Sequence, residues 1–264
     1  MMSDLVVEIG DYPVRLSADD PGLLERLRAR YAEFITDTPS AAPFHFPIQV
    51  VPHRMSGTEA VRVTCSDGRW QFERDMFHAE WFPKSGRGSI RQVGDYPNSI
   101  DTALRILHTL LLAPRGGFLL HASSAVRNGS AFVFSGVSGV GKTTISRLAP
   151  PDVTLLTDEM SYILPRGNGY QAFGTPFAGD LGRSGANVSA PLKEINMLAQ
   201  GSTNKRELLS TSKAAAALLR NILFFAEEPE YVRLVFEAAC RAASSIPVYR
   251  LTFVPTAEVW EMIS

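Results

Sequence analysis

The sequence predicts an α/β fold in its larger, C-terminal part, preceded by a small α+β domain. Before residue 95, short segments of alternating hydrophobicity are separated by turn-forming residues, a pattern typical of a small sheet. From residue 96 onwards, strand and helix patterns follow one another in the order of an α/β protein. A glycine-rich segment over residues 136–143 joins one of these strands to the helix after it. The predicted domains are therefore residues 1–95, a candidate for substrate recognition, and residues 96–264.

The expected elements follow from hydrophobic spacing and turn signals along the chain. Asp20-Pro21 is typical of a helix start, and Ser66-Asp67-Gly68 is typical of a hairpin turn. The expected strands lie at residues 5–9, 12–16, 48–51, 60–64, 69–72, 118–126, 131–134, 153–157, 162–164, 170–173, 194–198 and 248–253. Helices are expected after residues 20, 98 and 141, over residues 212–224 and 231–243, and from residue 256.

The composition and charge limit the expected partners and cell compartment. The 264 residues carry a formal net charge of -1, with 45% hydrophobic and 20% charged residues, as in ordinary globular proteins with a buried core. This charge gives no reason to expect nucleic acid or an anionic membrane as a partner. The two cysteines have no metal-ligand spacing, no apolar run approaches ~20 residues, and the N-terminus does not resemble a signal peptide. We therefore expect a cytoplasmic protein, and a homo-oligomer is left open.

A phosphate-binding loop is predicted over residues 136–143, because GVSGVGKT matches the pattern G-x-x-x-x-G-K-[ST] at every position. Its glycines allow the backbone to bring several N–H groups onto one phosphate, and the helix after it points its positive end at the same anion. Lys142 is expected to neutralise the β and γ oxygens of ATP, and the Thr143 hydroxyl is a ligand suited to Mg²⁺. The expected cofactor-binding residues are Gly136, Val137, Ser138, Gly139, Val140, Gly141, Lys142, Thr143 and Thr144.

An acidic pair, Asp158-Glu159, ends the strand expected at residues 153–157. Carboxylates beside a phosphate loop can hold Mg²⁺ or take a proton from an attacking hydroxyl. One short helix separates Thr143 from this strand, so the ends of the two strands are expected side by side. The pair is a candidate for metal binding and proton transfer, and the alternative is a solvated strand end.

A histidine is expected opposite the phosphate loop. Asn128-Gly129 is a strong signal for a two-residue hairpin turn, in which paired residues have numbers that add to 257, as 128 and 129 do. His121 then lies opposite Gly136 and close to the phosphates. It could orient Asp158 or share its proton, or it could be a hydrogen-bonded structural histidine.

Three segments, LLHASSAV, GVSGVGKTT and LLTDEM, together resemble the catalytic domain of HPr kinase/phosphorylase and its relatives, which include ATP-dependent phosphoenolpyruvate carboxykinase. The resemblance covers residues 97–264 and implies a P-loop core of this type with a mixed sheet, which uses ATP and Mg²⁺. The metal ligands that it implies are Thr143, Asp158 and Glu159. The catalytic residues that it implies are His121, Asp158 and Lys142. The PGRN-type segment of HPr kinases has no counterpart here, and the chain looks closer to HPr-kinase-like proteins of peptide-modification systems, including kinases of lasso-peptide precursors.

The resulting hypothesis is a kinase that moves the γ-phosphate of ATP to a serine of a peptide or protein, or to a small hydroxyl compound. The alternatives are an ATPase or nucleotide switch, and a peptide-presenting module without kinase activity. The glycine-rich stretch of residues 173–191 is a candidate acceptor-binding loop. Arg183 within it could pair with an acidic substrate or could simply be exposed.

Overall fold

The computed structural model describes residues 3–36, 42–52, 59–94 and 97–263. The chain divides into two compact units. Unit 1 comprises Met1–Leu110 and Phe224–Val232, and unit 2 comprises Leu111–Leu223 and Arg233–Ser264. The expected domain boundary falls on residues 95 and 96, which lie outside the described residues, and it stays a prediction.

Unit 1 is built around a mixed sheet. Its strands are β1 (Ser3–Ile9), β2 (Tyr12–Ala18), β3 (Phe44–Val51), β4 (Arg62–Ser66), β5 (Arg69–Arg74), β6 (Phe77–Phe82) and β7 (Arg87–Val93). In the described residues, the order across the sheet is β1-β2-β3-β7-β6-β5-β4, with β3 parallel to both neighbours. Helix α1 (Pro21–Arg30) begins where predicted, because the Asp20 carboxylate accepts hydrogen bonds from the backbone N–H groups of Gly22 and Leu23.

From residue 98 onwards, helices and strands follow one another in the order of an α/β protein. The elements are α2 (Asn98–Leu112), β8 (Phe118–Arg127), β9 (Ser130–Ser135), α3 (Lys142–Arg147), β10 (Thr154–Thr157), β11 (Met160–Arg166), β12 (Gly169–Phe173), β13 (Ser189–Gln200), β14 (Lys205–Leu208), α4 (Thr211–Leu219), β15 (Ile222–Leu223), α5 (Pro229–Ser245), β16 (Val248–Phe253) and a 3-10 helix (Ala257–Met262). The division between the units falls within α2 and α5.

The sheet of unit 2 is mixed, which confirms the α/β class at this coarse level. Strand β13 runs parallel to β9 and β16, and the other pairings among the described strands are antiparallel. One face of the sheet packs against α4 and α5 through residues such as Leu218 and Ala239. The other face packs against α3 and the 3-10 helix through Ile145 and Trp260. Whether this core is of the HPr kinase type stays a prediction.

Strand β8 lies between the two segments that were expected to form the site. The hairpin turn has positive φ at Asn128 (50°) and Gly129 (75°), and the pairing of Ala122 with Ser135 confirms the predicted register. On its other side, β8 pairs with β10 and then with β11. The expectation that the strand before the phosphate loop and the strand before Asp158 are neighbours is therefore wrong, because β8 is inserted between them.

Two expected helices are also corrected. The helix predicted over residues 212–224 ends at Leu219, and Ile222–Leu223 instead forms the short strand β15 beside β8. The helix expected from Thr256 is the 3-10 helix. Within the described part of the chain, no helix has both the length and the apolar surface needed to cross a membrane.

Candidate functional site

The segment between β9 and α3 has a conformation that requires its glycines. The φ angles of Gly136, Gly139 and Gly141 are 153°, 76° and 118°, which side chains rarely permit. A Cβ atom at Gly141 would also lie 2.7 Å from the Cζ atom of Phe253. Val140 is buried in the core beneath the loop, so its side chain supports the loop. The expected strand, loop and helix are all present, although α3 has six residues only.

The ammonium group of Lys142 lies over the first residues of the loop. It donates hydrogen bonds to the carbonyl oxygens of Gly136 at 3.2 Å and Val137 at 3.4 Å. Burial lowers the pKa of Lys142, and the carboxylates of Glu159 and Asp180 act in the opposite direction. The positive charge is therefore held in a fixed place close to two acidic side chains.

Asp180 is a site residue that the sequence reasoning missed. It lies in the connection between β12 and β13, and its Oδ2 atom accepts a hydrogen bond of 3.2 Å from the Thr143 hydroxyl. The available signal was an acidic residue between two glycines in the segment GDLG, within the stretch already considered for acceptor binding. Arg183, the expected partner of an acidic substrate, is exposed. It does not line the cavity that contains Lys142, Asp158 and Asp180.

Asp158 is buried and holds the same connection in place. Its Oδ1 atom accepts from the backbone N–H of Gly179 at 2.9 Å, and its Oδ2 atom accepts from that of Leu181 at 2.8 Å. These bonds flank Asp180 in the sequence. Asp158 therefore positions Asp180 at the phosphate loop, which is a role that the sequence did not indicate.

His121 lies in β8 with its backbone fixed on both sides. Its N–H donates to the carbonyl of Asn221, and its own carbonyl accepts from the Ser135 hydroxyl. The ring Nδ1 atom lies 3.7 Å from Oε1 of Glu159. The structure therefore brings His121 to Glu159, whereas Asp158 turns to the loop that carries Asp180.

A single polar cavity of about 580 Å³ joins these groups. Its lining residues are His121, Ser138, Gly139, Gly141, Lys142, Thr143, Thr144, Arg147, Asp158, Glu159 and Asp180. Arg147, from the last turn of α3, adds a cation that the sequence reasoning did not single out. We name this space the polar cavity.

The oxygen atoms at the polar cavity are of the kind that Mg²⁺ prefers. Within the described ranges, no group of three or more His, Cys, Asp or Glu side chains is arranged to hold a metal ion on its own. Magnesium at phosphate-transfer sites is commonly held by one or two carboxylates together with substrate phosphates and water. The Thr143 hydroxyl and the carboxylates of Glu159 and Asp180 fit a metal ion that is bound in that way.

Comparison with known proteins identifies the family of this chain but does not identify a reaction that it catalyses. A family model described as "SynChlorMet cassette protein ScmC" matches residues 99–264, well over half of the chain. The chain belongs to the ScmC family. The match to ScmC includes the phosphate loop, the acidic pair and Asp180, and no curated protein matches the chain. Because the ScmC description names a cassette and no reaction, the activity has to be argued from the polar cavity.

Proposed function

We propose that this ScmC protein is an ATP- and Mg²⁺-dependent kinase that transfers the γ-phosphate to a hydroxyl group, most simply a serine of a peptide or protein. The observation that supports this proposal is the arrangement of the polar cavity. A phosphate loop with Lys142, three carboxylates and His121 line the same space. Phosphoryl transfer needs mainly positioning and neutralisation of charge, and these groups supply both.

The spacing of the strands suits a transfer reaction. Strands β9 and β10 run in the same direction on either side of β8, so the phosphate loop and Asp158 leave the same edge of the sheet. Neighbouring strands lie about 4.8 Å apart, which separates these two strands by about 10 Å. That gap leaves room for a phosphate group and an attacking hydroxyl between the loop and the acidic pair.

Each polar side chain has a role in this proposal. Lys142 and the loop amides hold the β and γ phosphates. When bound, Mg²⁺ would neutralise charge on the phosphate oxygens, with Thr143, Glu159 and Asp180 as its protein contacts. Asp158 takes the proton of the acceptor hydroxyl, because each of its oxygens retains a lone pair beside the amide hydrogen bond.

The proposal is tested with γ-labelled ATP, Mg²⁺ and serine peptides. We expect label on the peptide hydroxyl and a loss of about 10²-fold or more in Lys142→Ala, because one charge that stabilises the transition state is removed. Lys205→Ala, at an exposed lysine paired with Glu207, serves as the matched control and is expected to keep wild-type transfer. Circular dichroism checks that both variants fold.

Two results would contradict a kinase. Release of phosphate that no acceptor changes would indicate an ATPase. Tight nucleotide binding without turnover would indicate a binding or peptide-presenting module. Asp158→Asn is less informative than Lys142→Ala, since it also weakens the hydrogen bonds that hold residues 179–181.

A further inference from the structure

A second cavity of about 580 Å³ lies beside the polar cavity in unit 2. Its walls are mainly apolar and include Met160, Met197, Leu198, Ala217, Ile222 and Leu223, and the polar side chains of Arg220 and Asn221 also line it. It shares His121 and Ser138 with the polar cavity, so the two spaces meet at these residues. We name this space the apolar cavity.

The phosphate loop sets which end of a nucleotide faces the apolar cavity. The lysine of such a loop reaches the β and γ phosphates. Here the Lys142 ammonium lies on the carbonyls of Gly136 and Val137, and both of these residues line the apolar cavity. The γ-phosphate would then lie beside Lys142 in the polar cavity, on the side of the loop that adjoins the apolar cavity, and Thr144 and Arg147 line the polar cavity only.

The geometry of the transfer then gives the direction of the acceptor. In phosphoryl transfer, the attacking and leaving oxygens are roughly in line with the γ phosphorus. The acceptor consequently approaches the γ-phosphate from the side away from the rest of the nucleotide. In this protein that side is the junction of the two cavities, where His121 lies.

The walls of the apolar cavity indicate what the acceptor carries beside its hydroxyl. Methionine side chains adapt to varied apolar partners, and two of them, Met160 and Met197, line the cavity. Val137, in the phosphate loop itself, leaves 72% of its surface exposed at this cavity. Burial of an apolar side chain here would remove apolar surface from water on both partners.

We propose that the apolar cavity binds the phosphate acceptor, and that this acceptor is a peptide segment whose serine is adjacent to a large apolar side chain. This inference rests on the proposed kinase function. The serine Oγ atom forms a bond to the γ phosphorus while the bond from that phosphorus to the β–γ bridging oxygen breaks. The bridging oxygen keeps the electron pair as part of ADP, and the hydroxyl proton passes to the Asp158 carboxylate. The apolar side chain fills the cavity and holds the hydroxyl at the junction.

Binding is measured without catalysis by NMR of protein labelled with methyl-¹³C methionine, in the presence of Mg²⁺ and a non-hydrolysable ATP analogue. Three short peptides are compared: one with Leu beside Ser, one with Asp in place of that Leu, and one with Leu beside Ala. We expect the methyl signals of Met160 and Met197 to shift with both Leu peptides and not with the Asp peptide. Methionines outside the cavity are the internal controls, and Met160→Leu and Met197→Leu assign the two signals. The inference would be overturned if the Met160 and Met197 signals did not shift with the Leu peptides, or if they shifted equally with the Asp peptide.

Transfer is measured with a matched pair of variants in α4. Ala217→Asp places a carboxylate in the apolar cavity, and Ala216→Asp places one on the exposed side of the same helix. We expect Ala217→Asp to raise the KM for the Leu–Ser peptide at least 10-fold without changing the Kd of the nucleotide, and Ala216→Asp to behave as wild type. Thermal melting checks that both variants fold. If Ala217→Asp does not fold, the NMR measurement on the wild-type chain tests the acceptor site.

The two proposals fail in different ways. Equally efficient transfer to the Asp and Leu peptides, with unchanged methyl signals of Met160 and Met197, would contradict the acceptor site but agree with kinase activity. Shifts of Met160 and Met197 with the Leu peptides, but no transfer to any hydroxyl, would support peptide binding in the apolar cavity and contradict the kinase.

Discussion

At the scale of single residues, the carboxylate of Asp180 has an unusual position. It accepts a hydrogen bond from the Thr143 hydroxyl, and its negative charge raises the pKa of Lys142 against the effect of burial. Its neighbours in the chain are both tied to Asp158. A carboxylate that is held in this way by backbone bonds loses little freedom when a cation binds, so Asp180 is well prepared to contact a metal ion.

We predict that Asp180→Asn raises the Mg²⁺ concentration needed for half-maximal transfer by about 10-fold, because one anionic oxygen ligand becomes neutral. A magnesium titration of the transfer rate measures this change. The control is Glu258→Gln, at an exposed acid in the same unit, which should leave the titration unchanged. An unaltered magnesium dependence in Asp180→Asn would exclude Asp180 from the metal site.

The sequence could predict the residues of the phosphate loop because they form one contiguous pattern. Asp180 is 37 positions from Thr143, and its place depends on the path of an irregular loop that no periodic pattern encodes. Asp158 could be identified as a candidate from the strand before it. Its bonds to Gly179 and Leu181 could not be inferred, because they depend on the same loop path.

At the scale of elements, the connection between β12 and β13 is attached to β10 at its base. The N–H groups of Thr175 and Ala186 donate to the carbonyls of Leu156 and Leu155. At Gly185 a Cβ atom would lie 1.6 Å from the Leu156 carbonyl oxygen, so the chain there must be glycine. The edge of β10 is thereby covered, and the middle of the connection is directed to the polar cavity.

We predict that Gly179→Ala lowers transfer about 10-fold with little loss of stability. An added Cβ would meet the carboxylate oxygens of Asp158 and Glu159 at 3.0 Å, so both side chains must shift by a few tenths of an ångström. Small displacements of catalytic groups have large effects on rate. Gly169→Ala, where a Cβ meets nothing within 4 Å, is the matched control. Equal rates in the two variants would show that the placement of the carboxylates is unimportant.

Sequence patterns were most successful for elements with a strong local signal. The β8–β9 hairpin and its register follow from Asn128-Gly129, and α1 follows from Asp20-Pro21. Strands β6 and β7 of unit 1 and the short strands β14 and β15 were not expected. The two residues of β15 follow α4 after Arg220-Asn221, and their apolar character alone does not distinguish a short strand from helix, whereas pairing with β8 does.

At the scale of the whole molecule, the dependence of stability on pH can be traced to a titratable group that is buried in unit 1. His108 of α2 is fully buried and lies edge-on to Tyr12, with ring centroids 6.1 Å apart. Burial lowers the pKa of His108 from 6.5 to about 3. Between these two pH values the unfolded chain binds one more proton than the folded chain at this position. Stability therefore falls as the pH decreases from 6.5 towards 3.

We predict that this histidine contributes a loss of stability of about 1.4 kcal/mol per pH unit as the pH falls below 6.5. His108→Leu removes the titrating group, so its free energy of unfolding should depend less on pH by that amount. Denaturant unfolding at several pH values between about pH 7 and about pH 4 measures how the free energy of unfolding of each variant changes with pH. Leu107→Val, at a buried residue of the same helix that does not titrate, should lower the stability but keep the wild-type slope. Identical slopes for His108→Leu and wild type would contradict the prediction.

The Asn128-Gly129 turn lies at the opposite end of β8 from His121 and is exposed. A change of register by one residue would turn every side chain of the strand to the other face of the sheet. In the pairing observed here, such a change would present Ala122 where His121 now lies at the junction of the two cavities. A change that moved β8 by one residue relative to β9 would thus disturb both cavities, even though the turn itself contributes no reactive group.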